Sequence, residues 1–214
     1  QAVPAYEPIV AAGANACVLH YRANQSQLRD GDLLLVDAGA EYNCYASDIT
    51  RTIPVNGRYS PEQRAIYQLV LDAQLAAIAE ARPGRHWNDV HDAAVKTITA
   101  GLIKLGLLKG SLAKNLKDER YKEFYMHKTG HWLGLDVHDV GDYRIDGHPR
   151  LIEPGMVMTV EPGIYIAPDA LDVPLRWRGI GVRIEDDVLV TRNGPEVLTA
   201  GVIKDVDAIE AAMA

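Results

Sequence analysis

Cysteine is scarce in this chain of 214 residues: there are two, Cys17 and Cys44, and their spacing matches no metal motif. That excludes a disulfide scaffold or a thiolate metal site as the organising feature. Two free thiols in a reducing compartment are expected instead. Long apolar runs are also missing. The longest, "DLLLVDAG" and "PGMVMTVEPG", are short and interrupted, whereas a membrane-spanning helix needs about 20 apolar residues. No stripe of Lys or Arg is present and the formal charge is -7. Nucleic acid and anionic membranes are therefore poor partners. With no leader or span in view, a cytoplasmic location is expected. What is there is ordinary for a globular chain: 48% hydrophobic and 24% charged residues, enough to build a substantial core.

Local signals suggest an α+β chain. "EPIVAAG" and "ACVLHY" read as short strands around a Gly-Ala-Asn turn. Leu33 to Val36 is a continuous apolar run, expected to be a strand buried on both faces. "DITRTIPV" alternates and should pair with it as a hairpin, across the turn-prone "AEYNCYAS". Ser60, Pro61 and Gln63 form a capping signature ahead of Ile66, Leu69, Val70 and Ala73, which share a helix face; Pro83-Gly84 ends that helix. A second helix is expected from about Trp87 to Leu105, with Val90, Ala94, Ile98 and Leu102 inward, and a third, short one within "KGSLAKNLKDERYKEFY". "GDYRIDGHPR" reads as an exposed loop. "GMVMTVEPGIYIA" and "RGIGVRIEDDVLVT" read as strands, and the tail "VDAIEAAMA" as a weak helix.

A form repeats. "GDLLLVDAGA" and "PGMVMTVEPGI" each run turn glycine, apolar strand, acid, one residue, glycine, with Asp37 and Glu161 as the acids. Each is followed by a further strand-borne acid, Asp48 in the first case and Glu185 in the second. This suggests two related β-units flanked by helices. Buried carboxylates need a partner or a metal. One such acid is usually a strand end in water; four in matching units point to a site.

Histidine is also concentrated. Of seven, His127, His131 and His138 fall within or beside "GHWLGLDVHDVG". His127 and His131, four apart, share a face on either a helix or a strand. His86, His91 and His148 read as surface or satisfied core residues, and His20 is ambiguous by itself. One imidazole among several carboxylates suits Mn(II), Fe(II), Co(II) or Zn(II). Two such ions about 3.5–4 Å apart form a hydrolytic centre. Other histidines would be free to donate protons or stabilise an oxyanion. The residues by themselves thus support a binuclear metallohydrolase.

"DAGAEYNCYASDITRT", "HKTGHWLGLDVHDVG", "MTVEPGIYI" and "RGIGVRIEDDVLVT" resemble the catalytic domain of the Xaa-Pro aminopeptidases, of the pita-bread metallopeptidase family. The resemblance covers nearly the whole chain. It implies a pita-bread fold with a pseudo-two-fold repeat. It implies that Asp37 chelates one metal, Asp48 and Glu185 bridge two, and His131 and Glu161 complete the other site. Glu161 would also shuttle the proton. His20 would sit near the scissile amide, and His138 would stabilise the tetrahedral intermediate. His127 and Arg183 would line the proline side, with Tyr165 as a weaker supporting residue. The cofactor implied is a pair of divalent ions, most often Mn2+, with Co2+ or Zn2+ as alternatives. Asp136 and Asp139 match no ligand position and read as structural or solvated.

The same resemblance frames further expectations. The substrate would be a peptide with proline second, and a homo-oligomer is expected. Prolidase, which cleaves Xaa-Pro dipeptides, is the nearest alternative; an inactive pita-bread binding module is a second, disfavoured because every ligand position is filled. Residues 1–214 read as one pita-bread catalytic domain lacking its first helices and a preceding amino-terminal domain. An amino-terminal fragment of the same protein is a conceivable partner, and without it an apolar sheet face should stay uncovered. Lys128, between His127 and His131, departs from the small residues usual there and adds a positive charge near the site.

Overall fold

The two strand–acid–glycine runs become parts of two three-stranded antiparallel sheets, in a computed structural model that describes residues 1–214. After β1 (Val3–Pro4) come β2 (Ile9–Ala12), β3 (Leu33–Asp37), β4 (Ala40–Glu41) and β5 (Thr50–Pro54). The first sheet has the order β2-β3-β5, and β1 pairs with β4 beside it. The expected hairpin forms with Leu33 opposite Pro54 and Asp37 opposite Thr50. Its turn is closed by Tyr42 and Tyr45, which exchange backbone hydrogen bonds around Asn43 and Cys44, both at positive φ.

Two local expectations need correcting here. Leu33–Val36 is not buried on both faces. Leu33 and Leu35 are buried, while Leu34 and Val36 are only half-buried. By register Val10, Leu34, Val36 and Ile53 share one face, and all four are half-buried. That apolar face is thus only partly covered within this chain. "ACVLHY" is not a strand either. Gly13, at φ +55, turns the chain out of β2 into a 3-10 turn, Gly13–Cys17, and His20 follows in irregular chain. A Cβ at Gly13 would sit 2.9 Å from the Asp32 carboxylate, so both the turn and the crowding call for glycine.

The helices follow their signals. In α1 (Pro61–Glu80) the Ser60 hydroxyl accepts from the Gln63 N–H and the Ser60 N–H donates to Gln63 Oε1, closing the capping box. Ile66, Leu69, Val70 and Ala73 are buried, as are Val90, Ala94, Ile98 and Leu102 of α2 (Trp87–Lys104). α1 and α2 pack on each other, and α1 also lies against strands of the second half. The third helix is shorter than its polar segment: α3 (Leu112–Lys117) stops before a 3-10 turn at Arg120–Glu123, with Glu119 left-handed between them.

The later half contains β6 (Arg144–Ile145), β7 (His148–Pro149), β8 (Val157–Val160), β9 (Gly163–Tyr165), β10 (Gly181–Arg183), β11 (Asp186–Thr191), β12 (Gly194–Val197) and α4 (Val206–Ala212). Each long strand expected here splits at its acid. β8 and β11 pair in the second sheet, of order β12-β11-β8, whereas β9 and β10 pair separately. The breaks fall at Glu161-Pro162 and at Ile184-Glu185. Pro162 has no N–H to continue a ladder, so the chain steps from one sheet to the other at the acid. The repeat in form is also a repeat in place: β3 lies between β2 and β5, and β8 lies between β11 and the segment around His131, whose carbonyl accepts from the Thr159 N–H. A core of 35 buried residues lies among the helices and later strands, with a four-residue cluster of Ile9, Ala11, Ala16 and Leu35 under the first sheet. No helix is long and apolar enough to cross a membrane, and Cys17 and Cys44 are unpaired.

Candidate metal centre

The broken strand ends meet in one place. Asp37 ends β3 beside Thr50, Asp48 enters β5 two residues ahead of Thr50, Glu161 follows β8, and Glu185 links β10 to β11. His131 reaches them by a different route. Residues 129–132 lie along the free edge of β8: the Thr159 N–H donates to the His131 carbonyl, the Glu161 N–H donates to the Thr129 carbonyl, and Trp132 bridges to Met158. Gly130 permits this approach, since a Cβ there would stand 1.9 Å from the Thr159 carbonyl oxygen. The histidine stretch is neither helix nor long strand, yet His127 and His131 both face one cleft.

These five residues line a cleft of about 240 Å³ together with His20, His127, His138 and Arg183. Every site residue expected from sequence except the weaker candidate Tyr165 is on its wall; Tyr165 lies just behind it. Asp136 and Asp139 are not on that wall. Ligand atoms of Asp48, His131 and Glu185 all lie within 4.8 Å of one another. His131 Nε2 is 3.3 Å from Asp48 Oδ2 and 3.7 Å from Glu161 Oε1. Its Nδ1 is 2.9 Å from the Trp132 carbonyl. A carbonyl can only accept, so Nδ1 carries a proton and Nε2 is the atom turned to the acids, as in metal-ligating histidines oriented by a backbone partner.

The electrostatics show why this cluster needs cations. Burial, followed by Coulomb repulsion from Asp48 and Asp37, pushes the Glu161 carboxyl up to about 7 against the pull of His131 and Arg183. Burial and then Glu161, Asp48 and Asp37 hold Glu185 well above the carboxylate range. Burial and Asp48 likewise raise Asp37 although Arg183 opposes them. Burial lowers the His131 imidazole, but Asp48, Glu161 and the Trp132 carbonyl more than reverse this. Four acids and one imidazole facing one space cannot all ionise together unless positive charge enters. Oxygen-rich donors with one nitrogen suit hard-to-borderline divalent ions, so the residues present fit a divalent metal centre.

Around the acids lies a supporting set. Arg183 is a largely buried part of the cleft wall. Its guanidinium donates to Asp37 Oδ2 at 2.6 Å, to the Tyr165 hydroxyl at 3.1 Å and to Thr50 Oγ1 at 3.2 Å. The Tyr165 hydroxyl is 2.9 Å from His127 Nε2, while His127 Nδ1 lies 2.7 Å from the Lys128 carbonyl and so bears the proton. Tyr165 therefore donates to His127. Burial first, and then Arg183 and neighbouring histidines, lower His127 to about 4, keeping it neutral near pH 7. His138 is exposed and packs edge-on to His131, with ring centroids 4.4 Å apart. His20 is exposed at the rim. His91, read as a satisfied histidine, is one: its Nδ1 lies 2.8 Å from Thr129 Oγ1.

Two residues of this set had no usable signal in the sequence. The Tyr6 hydroxyl lies 2.6 Å from Asp37 Oδ1 and 2.5 Å from Asp48 Oδ1, joining two acids from different strands. Tyr6 is one of ten tyrosines, in a short segment without motif. Thr50 Oγ1 donates to Glu185 Oε2 at 2.6 Å. Its place in the alternating "DITRTIPV" marks it as inward, but not as a partner of an acid 135 residues away.

Comparison with known proteins points to one family. The pattern of metallopeptidase family M24 matches residues 1–192. The Xaa-Pro aminopeptidase of Escherichia coli is 51% identical over 210 residues, covering 98% of this chain and 47% of its own length. That of Haemophilus influenzae is 54% identical over 207 residues, covering 97% of this chain and 48% of its own. Among solved structures, the aminopeptidase PepP of Pseudomonas aeruginosa superposes with a TM-score of 0.97 at 66% identity, over 98% of this chain and 48% of that one. E. coli aminopeptidase P with the inhibitor Pro-Leu superposes at 0.95 with 51% identity, over 98% of this chain and 47% of that one. The chain spans about half the length of these relatives. Its α+β architecture is thus the pita-bread fold of the aminopeptidase P structures. With its acids and histidine gathered on that fold and the family pattern running through them, the chain belongs to metallopeptidase family M24.

Proposed function

We propose that the protein is a binuclear metal-dependent exopeptidase that releases the first residue from peptides with proline in second position. The observation that carries this reading is the convergence of Asp37, Asp48, Glu161, Glu185 and His131 on one cleft; the proline specificity is supported by relatives named Xaa-Pro aminopeptidases. Asp37 would hold one ion, Asp48 and Glu185 would lie between two, and His131 with Glu161 would hold the other. Mn2+ is the preferred ion, with Co2+ and Zn2+ as alternatives. When bound, such ions polarise a carbonyl and make water acidic enough to attack at neutral pH.

The chain's own residues do the rest. Glu161, on the cleft wall among the other acids, takes a proton from the attacking water and returns it to the proline nitrogen as the amide breaks. His20 and His138, on the open rim, hydrogen-bond the carbonyl oxygen as negative charge builds on it. His127, kept neutral by burial and fixed in one tautomer by Tyr165 and by its neighbour's carbonyl, presents a flat wall to the proline ring. Acylated proline has no N–H, so a wall that asks for no donor tolerates the imide that other peptides lack. The two free thiols support a reducing, cytoplasmic setting.

The test is elemental analysis combined with a cleavage series. About two divalent ions per chain and release of the first residue from Xaa-Pro tripeptides and longer peptides are expected. Full activity in a chelated protein would overturn the mechanism, and cleavage of Xaa-Pro dipeptides alone would make the protein a prolidase.

A further inference from the structure

A second cavity, of about 410 Å³, lies between the start of α2 and the segment that carries His127 and His131. It adjoins the metal-site cleft, with Lys128 and Gly130 on the wall of both. Trp87, Val90, Tyr143 and Met158 give it an aromatic and apolar lining, with the rings of Trp87 and Tyr143 4.7 Å apart. Two charged side chains reach it, Lys128 and Arg144, and no acid does. Both are exposed. Unlike Arg51, Arg183 and Lys204, neither forms an ion pair, although acids outnumber bases in this chain by 29 to 22. Arg144 donates only to the Gly147 carbonyl of its own hairpin. The proposed function leaves this cavity and both cations unused.

We propose that this cavity binds the part of a peptide that follows the proline, and that Lys128 and Arg144 hold a carboxylate on that part. The inference rests on the proposed function for the direction of the chain. If His127 faces the proline, the next residues of the peptide leave the cleft past Lys128, the residue adjoining His127, and enter the second cavity. Apolar side chains after the proline then meet Trp87, Tyr143 and Met158. A carboxylate meets two cations with no acid on the wall to compete, a match of charge that fixes the reach of the peptide as well as its sign. The carboxylate is that of the peptide's own carboxy terminus or of an Asp or Glu side chain.

Equilibrium binding separates this inference from the reaction itself. Calorimetry on metal-loaded protein would use Pro-Leu extended by zero to three alanines, each peptide as free acid and as carboxy-terminal amide. A parallel amide series would carry Glu or Gln in place of one alanine. At one length the acid should bind about fivefold more tightly than the amide, the size of an exposed ion pair. Lys128→Ala and Arg144→Ala should each shrink that ratio, with the amide as internal reference. If the Glu amide regains the advantage over the Gln amide, a side-chain carboxylate serves; if only the free acid has it, the terminus does. Equal binding of acid and amide at every length, or a preference that survives in both variants, overturns the inference. Turnover of an Xaa-Pro peptide by the wild-type protein, measured beside it, judges the proposed function separately.

Discussion

Glu185 and Asp186 are neighbours in sequence, both acids and both almost wholly buried, at 1% and 0% exposure. Their surroundings are opposite. Asp186 accepts from Arg51, Lys204, Gln74 and Thr199. Burial pushes its carboxyl up, but Arg51, Lys204 and Thr199 outweigh that and pull it below the usual range. Glu185 accepts from the Thr50 hydroxyl, and burial with Glu161, Asp48 and Asp37 holds it high against the weaker pull of Arg183, which is itself bonded to Asp37. The fold has balanced the charge of one and left the other to be balanced from outside. For this pair, the acid whose charge the chain neutralises is a structural part, and the acid surrounded by other carboxylates belongs to the cleft that fits cations. The two systems are also joined. Arg51 donates to the Glu185 carbonyl at 2.6 Å as well as to the Asp186 carboxylate, so the structural network fixes the backbone from which the site acid projects.

Substitutions can break this contrast. The largest effect is expected from Glu161→Gln, which keeps size and removes the proton carrier: turnover should fall by roughly 10²- to 10⁴-fold with the fold intact, as read by kcat and circular dichroism on the same sample. Asp186→Ala should do the reverse. It leaves Arg51 and Lys204 buried or half-buried without a counter-charge, and denaturant unfolding should show a loss of about 3–5 kcal/mol. If Asp186→Ala left stability unchanged while Glu185→Gln unfolded the protein, the assignment of the two acids would be inverted.

Tyr6→Phe sharpens the comparison from the site side. Removing the hydroxyl that joins Asp37 to Asp48 should weaken metal binding about 10- to 100-fold, measured by competition with a chelating dye, with little change in unfolding midpoint. The smallest effect is a pH dependence in the presence of a chelator. The Glu161 carboxyl rises from 4.5 to about 7 on folding, so the folded state holds its proton more tightly than the unfolded one. Its contribution to stability is present below pH ~4.5 and is lost as pH rises through ~7. The melting temperature of wild type relative to Glu161→Gln should therefore drop by a few degrees across that window. Saturating divalent metal should abolish the drop, because the charge it neutralises is the one that opposes ionisation. A difference that does not vary with pH would mean that Glu161 is not held protonated by its surroundings.

Much of the site was legible because its residues stand in motifs that local chemistry explains. A carboxylate directly after an apolar strand, as at Asp37 and Glu161, is conspicuous, and the acid–residue–glycine form recurs. The helices were legible from capping and periodicity, and Ser60 with Gln63 behaves as expected. Where reading by periodicity went astray, a backbone event intervened. Gly13 turned a strand-like run into a 3-10 turn. The long strands broke at the acids, since periodicity records which side a residue faces but not which sheet it joins. Arg183 shows the same limit. It lines the cleft as expected, but the sequence does not show that its guanidinium is also bonded to Asp37, Tyr165 and Thr50.

The sequence by itself determined the kinds of donor available, the helix boundaries, the strand ends that carry the acids, and the absence of thiolate metal motifs. These depend on neighbours a few residues away. Only the tertiary structure decided which acids are balanced and which are not, because charge balance depends on groups far apart in the chain: Asp186 is answered by Arg51 across 135 positions, whereas Arg183, 146 positions from Asp37, does not outweigh burial and Asp48 there. It also decided that Tyr6 joins two acids and that Lys128 stands between two cavities. Coulomb interaction and burial act through space, and the run "RIEDD" looks the same whichever of its acids the fold chooses to neutralise.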